Sequence, residues 1–191
     1  MALKERLYTN AEFWAFTDSP ENADKLFELI DGVIVEMPSP SFFHGLIVAE
    51  ILFFLKLYLR QHEVGYVGGD NYDFVLDDGL IFRPDVAYVA KGHFTEFPQR
   101  CEFSPDIAVE VISPSNSPTE LMRKVDAYLE YGSKQVWVVS PQDKTVYVYL
   151  PLDDGSANIR KYTTADTLDG GDVLPGFSVT VGNFFPAIKA D

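Results

Sequence analysis

Two acids stand where β-strands normally carry apolar side chains. The run Ser104-Pro105-Asp106-Ile107-Ala108-Val109-Glu110-Val111-Ile112-Ser113-Pro114 places Glu110 in a stretch rich in Ile and Val and bounded by Pro and Ser, the pattern of a central strand buried on both faces. An ionised Glu there is costly unless a cation or hydrogen-bond donors compensate it. Asp85 enters a second apolar strand, Ile81 to Val89, directly after Pro84. Pro84 has no N–H to give a ladder, so Asp85 belongs near a strand end, where sites in α/β folds collect. Two acids on two strands of one sheet suggest a site for a divalent metal ion. The ordinary readings are a turn or cap role for Asp85 and a solvent-facing position on an edge strand for Glu110.

A cation for these acids is available on the next element. Ser117-Pro118-Thr119-Glu120 reads as a helix start, with Ser at the N-cap, Pro in the first turn and Glu completing a capping box. On the helix that follows, Leu121, Lys124 and Tyr128 fall at i, i+3 and i+7 and share one face. With Leu121 and Tyr128 turned to the sheet, Lys124 is carried inward, whereas Arg123 beside it reads as solvated. Asp106 shares the face of Glu110 by alternation, but its place beside Pro105 points to a structural role. Glu28, in Leu26-Phe27-Glu28-Leu29-Ile30, repeats the buried-acid anomaly more weakly. The histidines form no ligand cluster by spacing: His44 opens an apolar helix and could reach a site, and His62 and His93 read as loop residues. No phosphate-binding glycine loop, nucleophile elbow or His-Glu-x-x-His motif occurs, and Ser113 and Ser115 have no base partner nearby.

These side chains need a scaffold, and 191 residues with 47% hydrophobic content, 15 Phe and 10 Tyr supply the core of one domain. One cysteine, Cys101, excludes an internal disulfide and a cysteine-based zinc cluster and fits a reducing cytoplasm. Met1 to Arg6 lacks the apolar core of a signal peptide. Leu46 to Leu59 is too short to span a membrane and contains Glu50 and Lys56, so no membrane role is expected. A net charge of −14 opposes long-range attraction to nucleic acid.

The pattern predicts a short helix over Thr9 to Phe16, then a hairpin of Leu26–Ile30 and Val33–Met37 turning at Asp31-Gly32. A helix from His44 to Arg60, apolar on most faces, packs between the sheet and other elements. Val64 to Leu76 forms one or two strands with Gly68-Gly69 as a kink or bulge. After a loop from Lys91 to Phe103 come the Glu110 strand, the capped helix to Tyr131, a buried strand Gln135–Ser140 and an exposed one over Thr145–Leu150. Asn158–Tyr162 and Phe177–Val181 add β structure, with a turn at Leu174-Pro175-Gly176. The order gives an α/β (α+β) core over about 42–141, with the N-terminal helix and hairpin at 9–37, a C-terminal β extension at 142–185 and a single domain over 1–191.

The motifs Glu28-Leu29-Ile30-Asp31-Gly32, Pro38 to His44, Arg83-Pro84-Asp85-Val86-Ala87, Pro105-Asp106 through Glu110 to Ser115, Lys124 through Tyr128, and Val136 to Pro141 resemble, in order along nearly the whole chain, the Uma-two family of restriction endonucleases. That family is similar to the PD-(D/E)XK restriction-endonuclease-like fold: a four-stranded mixed central β-sheet flanked by helices, here with extra β-hairpins. The resemblance implies that Asp85 and Glu110 hold Mg²⁺ or Mn²⁺ with a backbone carbonyl, that of Val111, and waters. It implies a catalytic role for Asp85, Glu110 and Lys124, with Glu28 and His44 at positions lining the pocket. The usual lysine two residues after the acid is replaced by Ile112, and Lys124 from the helix stands in for it. The implied activity is metal-dependent hydrolysis of DNA phosphodiester bonds, with DNA as partner and a homodimer as a candidate assembly. The rival readings are an inactive nuclease-fold binding module, which the −14 charge and Ile112 favour, and a metal-dependent hydrolase of small phosphorylated substrates.

Overall fold

The computed structural model describes residues 7–69, 72–114 and 117–188. Helix α1 (Asn10–Thr17) starts where Thr9 and Glu12 exchange side-chain and backbone bonds in a capping box. Strands β1 (Phe27–Ile30) and β2 (Val33–Glu36) pair antiparallel across Asp31-Gly32. Both turn residues have positive φ, 50° and 77°, which is the backbone of a hairpin turn that follows the strand twist. Helix α2 spans Phe42–Leu59, with Ser41 as its N-cap accepting from the His44 N–H. Then come β3 (Gly65–Gly69), β4 (Phe74–Asp77), β5 (Leu80–Phe82), β6 (Val86–Ala90) and β7 (Ile107–Val111). They are followed by α3 (Pro118–Glu130), β8 (Gln135–Ser140), β9 (Thr145–Pro151), β10 (Ala157–Tyr162), β11 (Thr167–Gly170), β12 (Leu174–Thr180) and a 3-10 turn, Val181–Phe184.

The main sheet runs β10-β9-β8-β7-β6-β3. Only β7 and β8 pair in parallel, and α3 is the crossover that a parallel pair requires. Period-two alternation divides β7 between two cores. Ile107, Val109 and Val111 join Ile47, Ile51 and Leu55 of α2, whereas Ala108 joins Val125, Ala127 and Tyr128 of α3. A second sheet, β2-β1-β5-β4, closes the α3 side through Ile30, Leu80 and Phe82 and carries α1 by Phe13.

The mixed sheet flanked by helices is the expected architecture, with six strands rather than four. The segment after residue 141 is part of it: β9 and β10 extend the main sheet, and Leu168, Leu174, Phe177 and Phe184 fill the α2-side core. Leu174-Pro175-Gly176 is not a turn but the start of β12, which pairs with β11 across an irregularity at Asp169/Gly170; Thr167–Gly170 had too short an apolar pattern to stand out. Gly68-Gly69 forms no bulge, since β3 pairs with β6 in unbroken register. A Cβ on Gly69 would lie 2.6 Å from Leu52 Cδ1 and 3.2 Å from the Asp85 carbonyl, so this glycine admits α2 close to the sheet. Ser117 caps α3 without a side-chain bond; Pro118 and the Leu121 N–H donating to the Ser117 carbonyl set the helix start instead. Helix α2, long and apolar enough to cross a membrane, packs between the sheet and the β12 and 3-10 segment through Ile47, Ile51, Leu55 and Tyr58, as expected, and leaves Phe42, Phe53 and Leu57 exposed.

Asp106 has the structural role expected. Its buried carboxylate accepts the Ala90 N–H at 2.8 Å and faces His93 Nε2 at 3.0 Å and Lys134 Nζ at 3.4 Å. Asp106→Ala strands these donors, and urea unfolding is expected to register a loss of about 1–3 kcal/mol.

Candidate functional site

Strands β6 and β7 bring the first two acids level. Val86 pairs with Val109 in antiparallel register, so Asp85, one residue earlier, falls opposite Glu110. The Val111 N–H donates to Asp85 Oδ2 at 2.6 Å, which pins the Asp85 carboxylate across the strand gap. His44, in the first turn of α2, places Nε2 3.2 Å from Asp85 Oδ1.

Glu110 projects to the other side of β7, under α3, and is 8% exposed. Its Oε1 accepts from Lys124 Nζ at 2.7 Å and from the Tyr128 hydroxyl at 2.9 Å. Glu28, on β1, is 5% exposed, and its Oε1 accepts from the same Lys124 Nζ at 2.8 Å and from the Arg83 N–H at 2.7 Å. Lys124 therefore bridges two buried carboxylates from two sheets. On both glutamates the donors converge on Oε1, which fixes each carboxylate's orientation and leaves Oε2 clear of these contacts.

Charge does not balance in this cluster. Glu28 and Glu110 share a single ammonium, and a third carboxylate, Asp85, adds its charge beside Glu110 and faces His44. Burial pushes the Glu110 carboxyl up to about 7; Lys124 opposes the rise, and Asp85 and Glu28 add to it. For Lys124, burial works against the charge, but Glu110 and Glu28 outweigh it and hold the ammonium above the ordinary lysine range. Without a metal, the two glutamates thus hold Lys124 as a cation. Burial and the neighbouring acids likewise raise the Tyr128 phenol well above its ordinary value, so it remains a donor.

These groups open onto a cleft of about 340 Å³, whose walls include Glu28, His44, Asp85, Glu110, Val111 and Lys124. The structure thus brings together all six residues singled out from the sequence. Ile112 packs instead into the core beneath α3, while Lys124 reaches Glu110 from the helix above. Tyr128 and the Arg83 N–H were missed as site groups: Tyr128 reads from the sequence only as a core-facing residue, although it lies one turn beyond Lys124. His62 stacks on Tyr58 and His93 faces Asp106, so neither reaches the cleft. Ser113 lines it, and Ser115 lies outside the described residues.

The donor set fits a hard divalent cation. Excess carboxylate charge, a Glu110 whose proton a cation would displace, and oriented oxygens are what such an ion requires. Among the described residues no three His, Cys, Asp or Glu side chains form a ready cage.

Comparison with known proteins agrees with this architecture. The Uma2 family, described as "Putative restriction endonuclease", matches residues 12–182, and the chain belongs to it. A crystal structure of a putative nuclease belonging to DUF820 from Anabaena variabilis superposes with a TM-score of 0.81 at 17% identity, covering 93% of this chain and 97% of that one. The two share the fold. No curated protein matches the chain.

Two consequences are measurable. In protein stripped of metal, the folded state holds the Glu110 proton more tightly than the unfolded chain does, so the contribution of Glu110 to stability is greatest below the ordinary glutamate range and falls as pH rises towards about 7. Glu110→Gln is expected to flatten that slope in urea titrations run across the window. Lys124→Met leaves two buried carboxylates without their cation and is expected to cost about 3–5 kcal/mol. Combining it with Glu28→Gln and Glu110→Gln should restore most of the loss.

Proposed function

We propose that this protein is a divalent-metal-dependent endonuclease that hydrolyses phosphodiester bonds of DNA. The observation that carries the reading is the pairing of Asp85 with Glu110, level on adjacent strands at one cleft, with the protonated Lys124 on the second acid. Membership of a family described as restriction endonucleases supports it. Asp85 and Glu110, with the Val111 backbone carbonyl, would hold Mg²⁺ or Mn²⁺, which when bound polarises the phosphate and lowers the pKa of water.

The chain's own residues have separable tasks. Asp85 is oriented by the Val111 N–H and Glu110 by Lys124 and Tyr128. Lys124, fixed in charge, stabilises negative charge developing on the phosphoryl oxygens. Glu28 holds that ammonium in place with its carboxylate, which the Arg83 backbone N–H orients. In the reaction one water adds to phosphorus and one P–O ester bond breaks. The water's protons are divided between the new phosphate and the leaving hydroxyl.

Plasmid and oligonucleotide DNA incubated with Mg²⁺ or Mn²⁺ tests this directly. Cleavage by the wild type, and none by Asp85→Ala or Glu110→Ala, is the expected result. Cleavage retained in both variants would remove the assignment. Tyr128→Phe, which deletes one donor to Glu110 without changing shape, is expected to weaken Mn²⁺ binding about 10- to 100-fold by calorimetry.

A further inference from the structure

The walls of the cleft restrict what can enter it. Five acids face it, namely Glu28, Glu36, Asp85, Glu110 and Glu120, against one lysine. That lysine is committed to Glu28 and Glu110. Cations close by are committed as well: Lys25 to Glu36 at 2.8 Å, Arg83 to Asp73 at 2.6 Å, and Arg123 to Asp31. Duplex DNA carries about one negative charge per 1.7 Å of axis, and proteins bind it by neutralising several phosphates with Lys and Arg. Among the described residues this cleft has no Lys or Arg to spare for that, on a chain of net charge −14. Glu36 and Glu120 are exposed; Lys25 offsets the charge of Glu36, and Glu120 sets negative charge in the path of a rigid rod of phosphates laid across the cleft.

Beside His44 and Ser113, the rest of the wall is apolar, with Val35, Met37, Pro40, Val48 and Leu121 among it. A space of about 340 Å³ is at the small end of ligand sites, the scale of one nucleotide rather than of a duplex. An unpaired nucleotide meets both halves of the wall. Its base and sugar can lie on the apolar side while its phosphate reaches the acids with their cation. A flexible strand can also turn its flanking phosphates away from Glu36 and Glu120, which a duplex cannot.

We infer that the cleft accepts an unpaired nucleotide of a single strand and discriminates against duplex. This rests on the nuclease reading above. The test compares a fluorescent single-stranded oligonucleotide with a hairpin duplex of the same sequence. Anisotropy measures binding in Ca²⁺ at low salt, and gel assays measure cleavage in Mn²⁺. Single strand is expected to bind, and to be cut, at least about tenfold better than duplex. Glu36→Lys with Glu120→Lys is expected to narrow that gap by gaining on duplex, since it places cations at the positions of the mouth acids. Leu121→Asn is expected to weaken single-strand binding while leaving Mn²⁺ affinity in place. Equal or tighter binding of duplex, or binding of neither nucleic acid, overturns the inference. Selective binding of single strand without cleavage by the wild type upholds it and removes the nuclease reading instead.

Discussion

The ammonium of Lys124, held between Glu28 and Glu110, is the contact on which the rest of the site depends. It joins the consecutive elements β7 and α3 to β1, far back in the sequence, at a point where all three charges are buried. Isolated charges of this kind are among the most expensive groups a protein can bury. Together with the Tyr128 hydroxyl and the Arg83 N–H they become a connected network in which each donor has an acceptor. Such a network specifies one arrangement of the two sheets and α3, because any displacement leaves a charge unpaired.

The network is incompletely neutralised, and that incompleteness is what the proposal of a metal site rests on. A purely structural ion pair would match one acid to one base. Here a second buried glutamate and the adjacent Asp85 leave negative charge in surplus at the floor of a cleft, and the proton affinity of Glu110 rises accordingly. Function classes that need excess carboxylate, above all divalent-cation chemistry at a phosphoryl group, fit this imbalance. The same imbalance sets the character of the walls, since the cations near the cleft are already paired.

Much of this was legible in the residues because it rests on local periodicity. Glu110 and Glu28 stand out as acids inside apolar strands. The i, i+3, i+7 spacing of Leu121, Lys124 and Tyr128 aims the lysine inward, and Thr9–Glu12 and Asp31-Gly32 announce a helix start and a hairpin. The misreadings share a physical cause. Ser117 and Glu120 have capping-box spacing, but a cap bond depends on side-chain rotamers that the motif does not impose. Gly68-Gly69 reads as a strand defect when the reason for Gly69 is the approach of Leu52 from another element. Pro175-Gly176 carries turn residues yet starts a strand, because β11 supplies an irregular partner that tolerates them.

The sequence by itself determined the elements, the class of fold and the residue types available for chemistry, since burial periodicity and turn chemistry act over a few neighbouring residues. It also determined that the acids would need a cation, since an apolar strand cannot hold a bare carboxylate. Only the tertiary structure decided which cation serves which acid and through which oxygen. Lys124 serves two glutamates, Tyr128 joins it on Glu110 Oε1, and the Val111 N–H and His44 take Asp85. Those pairings depend on strand register and on how α2 and α3 settle across the sheet, distances set by long-range packing that no local spacing encodes.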